Sequence, residues 1–287
     1  MSFSQKLIHI QIELANGQFE GGGNKMTLSG LRTSCQIINV GGGSGTANIA
    51  IFGLPLDTMN QLSTLGYQIL QMYKNTISVF AGDENTGMGL VWTGEIVDAF
   101  VDAQDMPNVA FRVTSYPSPY GANKPVDPIS IKGSADVSGI MSGLAKQMGF
   151  GFENAGVTTK LANPYYGGTS WTQALQIARD CNFTIIFDRG TMVIVPPGKS
   201  RQGDPVLVSP QTGMRGYPAF TQASLIVTTL YNPAIKPQGT IKVQSDLTPA
   251  CGRWTVNKIV YELESMMPHG RWFQVMECTR TDALAPA

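Results

Sequence analysis

The sequence predicts a mainly β chain interrupted by a small α+β module, and three observations predict it. Apolar and polar residues alternate with a period of two through much of residues 1–116 and again beyond residue 199, the pattern of strands buried on one face. Between these regions Val137, Ile140, Met141, Leu144, Ala145 and Met148 recur at the three-and-four spacing of an amphipathic helix. Two breaks rich in proline and glycine separate the patterns: one carries Pro117, Pro119, Gly121, Pro125 and Pro128, and the other covers residues 196–205.

Each element follows in order. Ile8, Ile10, Ile12 and Leu14 alternate with Leu7, His9, Gln11 and Glu13, so a first strand has one apolar face and His9 lies on the mostly polar one. Three glycines at 21–23 and the run Gly41-Gly42-Gly43-Ser44-Gly45 punctuate short strands over residues 26–28, 35–40 and 47–52. The second run lacks the lysine ending of a phosphate loop and the third glycine of a dinucleotide fingerprint. A strand follows it instead of a helix, so it reads as a plain loop. Met59, Leu62 and Leu65 lie three apart and predict a short helix over residues 57–65, capped by Asp57. Strands resume at 77–81 and 90–101. After a turn containing Asp105-Met106-Pro107-Asn108, Val109, Phe111 and Val113 alternate with Ala110, Arg112 and Thr114.

In the middle section Ser134 is the expected N-cap of the first long helix and Gly149 its stop. A second helix starts at Ser170, where Ser170-Trp171-Thr172-Gln173 has the capping-box form, and its apolar stripe runs from Trp171 through Leu175 to Ala178. Strands over 183–187 and 192–195 follow, joined by a turn at Asp188-Arg189-Gly190. The chain then returns to β patterning. Ile259, Tyr261 and Leu263 alternate with Val260, Glu262 and Glu264, the turn Met266-Met267-Pro268-His269-Gly270 reverses the chain, and residues 272–278 form the return strand.

Composition narrows the function. Of 287 residues only 14% are charged, against roughly 25% in an ordinary soluble domain, which leaves a neutral polar surface suited to burial in an assembly. Twenty basic and twenty acidic side chains cancel, removing the basic face of a nucleic-acid binder. Two histidines, His9 and His269, are too few for a multi-His metal site, and no cofactor is expected. Cys35, Cys181, Cys251 and Cys278 are scattered without a C-x-x-C pair, so no disulfide framework is expected and folding in a reducing cytoplasm is. No signal peptide and no run of 18 apolar residues occurs, so neither secretion by that route nor a membrane span is expected. For hydrolysis the candidates are Glu95, Glu262 and Glu264, all in strand patterns, and Ser170, which reads as a helix cap; no catalysis is expected from them. For carbohydrate binding the candidates are Tyr165, Tyr166 and Trp171.

The order of three stretches resembles the baseplate hub proteins of bacteriophage tails. Ile77-Ser78-Val79-Phe80-Ala81-Gly82 followed by Val91-Trp92-Thr93-Gly94-Glu95-Ile96 is similar to that family's glycine-ended strand and following "G-x-I" strand. Lys132-Gly133-Ser134, Gly168-Thr169-Ser170-Trp171, Asp188-Arg189-Gly190 and Val195-Pro196-Pro197 follow its helix, helix, hairpin order. Ser209-Pro210-Gln211-Thr212-Gly213-Met214, Tyr217-Pro218 and Leu230-Tyr231-Asn232-Pro233 resemble its second tube-type domain.

The resemblance implies two tube-like antiparallel β-barrel or sandwich domains, residues 1–116 and 199–287, flanking a linker and small two-helix α+β module at 117–198. It implies a homotrimer, pseudo-hexameric around a central channel for DNA passage, which joins the sixfold tail tube to the threefold central spike. The implied neighbours are the tail tube or a distal tube-initiator protein above, the spike below, and tape-measure and baseplate wedge proteins. The implied location is the virion tail baseplate, assembled in the host cytoplasm. Interface candidates are Tyr165, Tyr166, Tyr217, Pro218, Pro233, Met266 and Met267. The alternative is a tail protein that binds or hydrolyses cell-wall peptidoglycan.

The order of elements also suggests an internal duplication. Residues 77–81 correspond to 241–245, Gly89-Leu90-Val91-Trp92 to Gly252-Arg253-Trp254, the Pro107 turn to the Pro268 turn, and 109–115 to 272–278.

Overall fold

The structure, a computed structural model, describes residues 4–19, 22–42, 45–63, 74–85 and 87–280. Its first β region comprises β1 (Lys6–Glu13), β2 (Lys25–Leu28), β3 (Thr33–Val40), β4 (Gly45–Phe52), a short helix α1 (Leu56–Leu62), β5 (Thr76–Asp83), β6 (Gly87–Asp102) and β7 (Ala110–Tyr116). Neighbouring strands follow the order β3-β4-β7-β6-β5-β1-β2. The period-two pattern explains the pairing. Ile10 lies opposite Val79 and Ile12 opposite Ile77, and all four are buried, so facing side chains stack into one apolar layer. Each contributes about 1.5–3 kcal/mol by leaving water.

Gly94 of β6 is fixed by packing. A Cβ there would lie 2.6 Å from the Tyr116 carbonyl oxygen and 2.7 Å from Ser115 Oγ, the atom that accepts the Trp92 indole N–H at 3.0 Å. Helix α1 departs from expectation at its start: Pro55 is the N-cap, and Asp57 lies in the first turn, where a negative charge meets the positive end of the helix. Met59 and Leu62 are buried as their spacing required, while Leu65 lies outside the described residues.

The middle section comprises α2 (Pro119–Asn123), β8 (Ile129–Ser130), β9 (Ser134–Asp136), α3 (Val137–Met148), β10 (Gly151–Asn154), β11 (Lys160–Ala162), β12 (Tyr165–Tyr166), α4 (Ser170–Asp180), β13 (Thr184–Asp188) and β14 (Thr191–Val195). Helices α3 and α4 bury Met141, Leu144, Met148 and Ile177 with Ile185, Met192 and Ile194 of the sheet β10-β14-β13. Both expected caps are displaced. Asp136, not Ser134, accepts the Gly139 N–H, because Ser134 is held in β9 opposite Ala162. Thr169, not Ser170, accepts the Thr172 N–H. Gly149 ends α3 at φ 86°, as read. At the β13–β14 turn Arg189 and Gly190 both have positive φ, 51° and 77°, the demand of a two-residue hairpin, and Asp188 faces Thr191 across it.

The outer edge of β13 is covered by the glycine run. Asn39 Nδ2 donates to the Phe187 carbonyl at 3.0 Å, and the Gly42 N–H donates to the Ile185 carbonyl at 2.8 Å. A Cβ at Gly41 would lie 3.1 Å from Thr184 Cγ2, a tight contact that the glycine avoids. Gly43 and Ser44 lie outside the described residues, and β4 follows from Gly45, a strand where a phosphate loop needs a helix.

The last β region comprises β15 (Val206–Val208), β16 (Ala219–Phe220), β17 (Leu225–Leu230), β18 (Thr240–Val243), β19 (Gly252–Ser265) and β20 (Trp272–Arg280). Its strand order is β16-β17-β20-β19, with β18 on the start of β19 and β15 on β18. The order β17-β20-β19-β18 thus repeats β4-β7-β6-β5 of the first region. In each, a long strand of 16 or 14 residues leads through a proline-containing turn into its partner. The fifth strands differ: β1 runs antiparallel to β5, whereas β15 runs parallel to β18.

By contacts the chain divides into two compact units. One comprises Met1–Ile38, Gly45–Tyr120 and Tyr261–Phe273, and the other Asn39–Ser44, Gly121–Val260 and Gln274–Ala287, so β19 and β20 contribute to both. The chain is therefore mainly β, with the two helices α3 and α4 gathered in its middle section.

Candidate assembly interface

The carboxylate and serine candidates have structural partners. Glu95 is buried, and its Oε2 accepts the Tyr120 N–H at 2.7 Å, fastening the start of α2. Burial pushes its carboxyl above the ordinary range, against the opposing effects of that hydrogen bond and of Lys74. Glu264 accepts the Arg271 N–H at 2.8 Å, and Glu262 lies 3.4 Å from the Arg271 guanidinium. Ser170 Oγ donates to Gln147 at 3.0 Å and belongs to the core. His9 faces Phe80 across the β1–β5 ladder, and His269 sits exposed in the final turn with φ 56°. Burial pushes the Cys35 and Cys278 thiols up, the latter to about 12, so neither is a thiolate at neutral pH. Among the described residues no group of three or more His, Cys, Asp or Glu side chains could hold a metal ion, and no helix is long and apolar enough to cross a membrane.

The surface candidates separate by strand parity. Tyr165 and Tyr166 are neighbours in β12, so they point to opposite sides. Tyr165 is 70% exposed, whereas Tyr166 joins the core of the middle section and its hydroxyl donates to Asp180 at 2.8 Å. Burial and that carboxylate push the Tyr166 phenol up to about 12. Trp171 is half-buried, stacked on Phe187 with ring centroids 4.8 Å apart. Tyr217 is 71% exposed beside a buried Pro218, and Phe220 is 52% exposed with its ring centroid 6.4 Å from that of Trp254. Pro233 is exposed, and its carbonyl accepts from Arg189 at 3.0 Å. Met266, 41% exposed, and half-buried Met267 line a cleft of about 440 Å³ with Gln5, Lys6, Pro268 and Trp272.

Sequence reasoning missed a buried polar cluster. Arg201 lies in the second proline-rich break, with its side chain only 7% exposed. Its Nε and Nη2 grip Glu153 at 2.9 and 2.5 Å, and its Nη1 reaches Asp188 at 2.7 Å. Burial alone would lower its pKa, but the hydrogen bonds of the two carboxylates carry it higher. The Arg201 hydrogen bond holds the Glu153 carboxyl below its ordinary range. Its backbone N–H meanwhile donates to the Gln238 carbonyl at 2.7 Å, so one residue ties the module's sheet to the following β segment.

Aromatic and methionine side chains, Tyr165, Tyr217, Phe220 and Met266 among them, are exposed at the surface, residue types that are enriched where proteins associate. The architecture is that of phage tail proteins. A 43 kDa tail protein of prophage MuSo2 from Shewanella oneidensis superposes with TM-score 0.64 at 12% identity, covering 96% of this chain and 98% of that one. A tail protein from Neisseria meningitidis MC58 gives 0.62 at 10% identity, over 96% and 97%. The Escherichia coli c3393 protein, a type VI secretion component described as structurally similar to T4 tail proteins gp27 and gp5, gives 0.54 at 9% identity, over 96% and 73%. No curated protein matches at the level of sequence. The family model described as "Baseplate hub gp41" matches residues 21–276, and the chain belongs to that baseplate hub family. It is a structural protein of the phage tail.

Proposed function

We propose that this hub is a trimeric, pseudo-hexameric adaptor that joins the sixfold tail tube to the threefold central spike and leaves a channel through which DNA passes. The observation that carries the reading is the repeated strand order, β4-β7-β6-β5 and β17-β20-β19-β18. Two related β regions in each chain give a trimer six similar units around its axis, so one ring can meet a sixfold partner on one side and a threefold partner on the other. In this reading residues 1–116 and 199–287 are the two tube-like domains, and 117–198 is the module carried between them. The hub acts by shape, without catalysis, in agreement with the structural partners of Glu95, Glu262, Glu264 and Ser170. Tyr165, Tyr217 and Met266 are the side chains offered to neighbours, among them the tube or tube-initiator protein, the spike, the tape measure and the baseplate wedge. Assembly takes place in the host cytoplasm.

Light scattering on the protein alone and with its spike tests the reading. The expected particle holds three chains, roughly three times the 30.9 kDa of one. A monomer in both conditions, or a ring of six identical chains, would overturn it.

A further inference from the structure

One row of outward side chains crosses three adjacent strands of the last β region. Leu207 of β15 pairs with Lys242 of β18, and Lys242 lies directly opposite Arg253 of β19. Facing residues project on the same side of a sheet. All three are exposed, Leu207 by 40%, while the preceding pair in the ladder, Ile241 opposite Trp254, is buried. Among the described residues neither Lys242 nor Arg253 has an ion-pair partner.

Like charges directly opposite across a ladder destabilise it, so this row costs the isolated chain stability. Acidic groups arriving from outside offset that cost and are drawn to it. At about 4.8 Å between strands the row spans roughly 10 Å, the reach of about three residues of extended chain. On its far side β15 has no strand partner among the described residues; Thr212 Oγ1 donates to the Leu207 carbonyl at 3.1 Å, and the Leu207 side chain, 40% exposed, is what the apolar end of the row offers. A nucleic acid gathers affinity from many phosphate contacts over a broad basic face. Here two cations stand in line with a leucine, on a chain of zero formal net charge.

We propose that Leu207, Lys242 and Arg253 form the docking strip for an acidic segment of a neighbouring protein. An apolar side chain of that segment rests on Leu207, and its carboxylates settle over the two cations. The inference stands apart from the adaptor reading and does not depend on it.

The test uses the full chain and fluorescence anisotropy with a labelled peptide alternating leucine and glutamate, its leucine–lysine counterpart, and a short DNA duplex. The acidic peptide is expected to bind, and to weaken as salt rises. Lys242→Glu and, separately, Arg253→Glu are expected to weaken that binding about ten-fold. Each should also raise the Tm of the free protein by about 1–4 °C, because repulsion becomes a cross-strand ion pair. Opposite signs in the two readouts separate docking from a merely structural role. Unchanged peptide binding in both variants, tighter binding of the duplex than of the peptide, or tighter peptide binding by a chain ending at Arg280, which would assign the row to the chain's own tail, would each overturn the proposal.

Discussion

Replacing Arg201 by methionine keeps the aliphatic stem and removes the guanidinium, which isolates the electrostatic part of the cluster. The two acids respond differently. The Glu153 side chain is 37% exposed and can regain water, whereas that of Asp188 is 4% exposed and cannot. Removing one partner of a buried ion pair costs about 3–5 kcal/mol, because the remaining charge is left without compensation. Arg189 Nε lies 3.5 Å from Asp188 and partly compensates it, so the expected loss is near the lower figure, about 3 kcal/mol. With two compact units in the chain, a reporter beside the cluster assigns the loss to the right unit. The local reporter is Trp171, whose ring stacks on Phe187, the residue before Asp188. Urea unfolding followed by fluorotryptophan NMR should show that signal lost at lower denaturant in Arg201→Met, with the Trp92 signal unmoved. Adding Asp188→Asn should restore more than half the loss, since the stranded charge is gone. A loss below about 1 kcal/mol, or a double variant no better than the single one, would refute the reasoning.

Glu95 has a raised folded pKa, so its favourable contribution is present below the unfolded value and is lost as pH rises through the folded one. Glu95→Gln keeps an acceptor for the Tyr120 N–H and should therefore be more heat-stable than the parent at pH 7, with the difference vanishing near pH 4; calorimetry across that range checks it. Gly94→Ala should cost about 1–3 kcal/mol in chemical denaturation, because the added methyl meets the Tyr116 carbonyl, which cannot rotate away.

Strand alternation was legible wherever one face is buried, as in β1 and along residues 259–265, because a one-residue slip would turn the whole apolar set outward. The β13–β14 turn was legible for a similar reason, since few residues other than glycine follow a first positive φ. Caps were read a position or two out. Serines and threonines compete for them over adjacent positions, and the choice at Asp136 was made by the β9–β11 ladder, a contact between segments more than 20 residues apart. Tyr165 and Tyr166 look equivalent as letters and differ only because β12 pairs with β8. The Arg201 cluster left no local signal, since its partners stand 48 and 13 residues away and only the fold makes them neighbours.

The loop over β13 also orders events in time. Residues 39–42 leave the ribosome well before residues 184–188, so the strand is made when its cover already exists. The Gly42 amide and the Asn39 side chain of the same chain hold the carbonyls of Ile185 and Phe187, which would otherwise be acceptors for a strand of a second chain. A middle section expressed alone would be born with that edge bare, and stickiness in such a fragment would report the missing cover and not a flaw in its core.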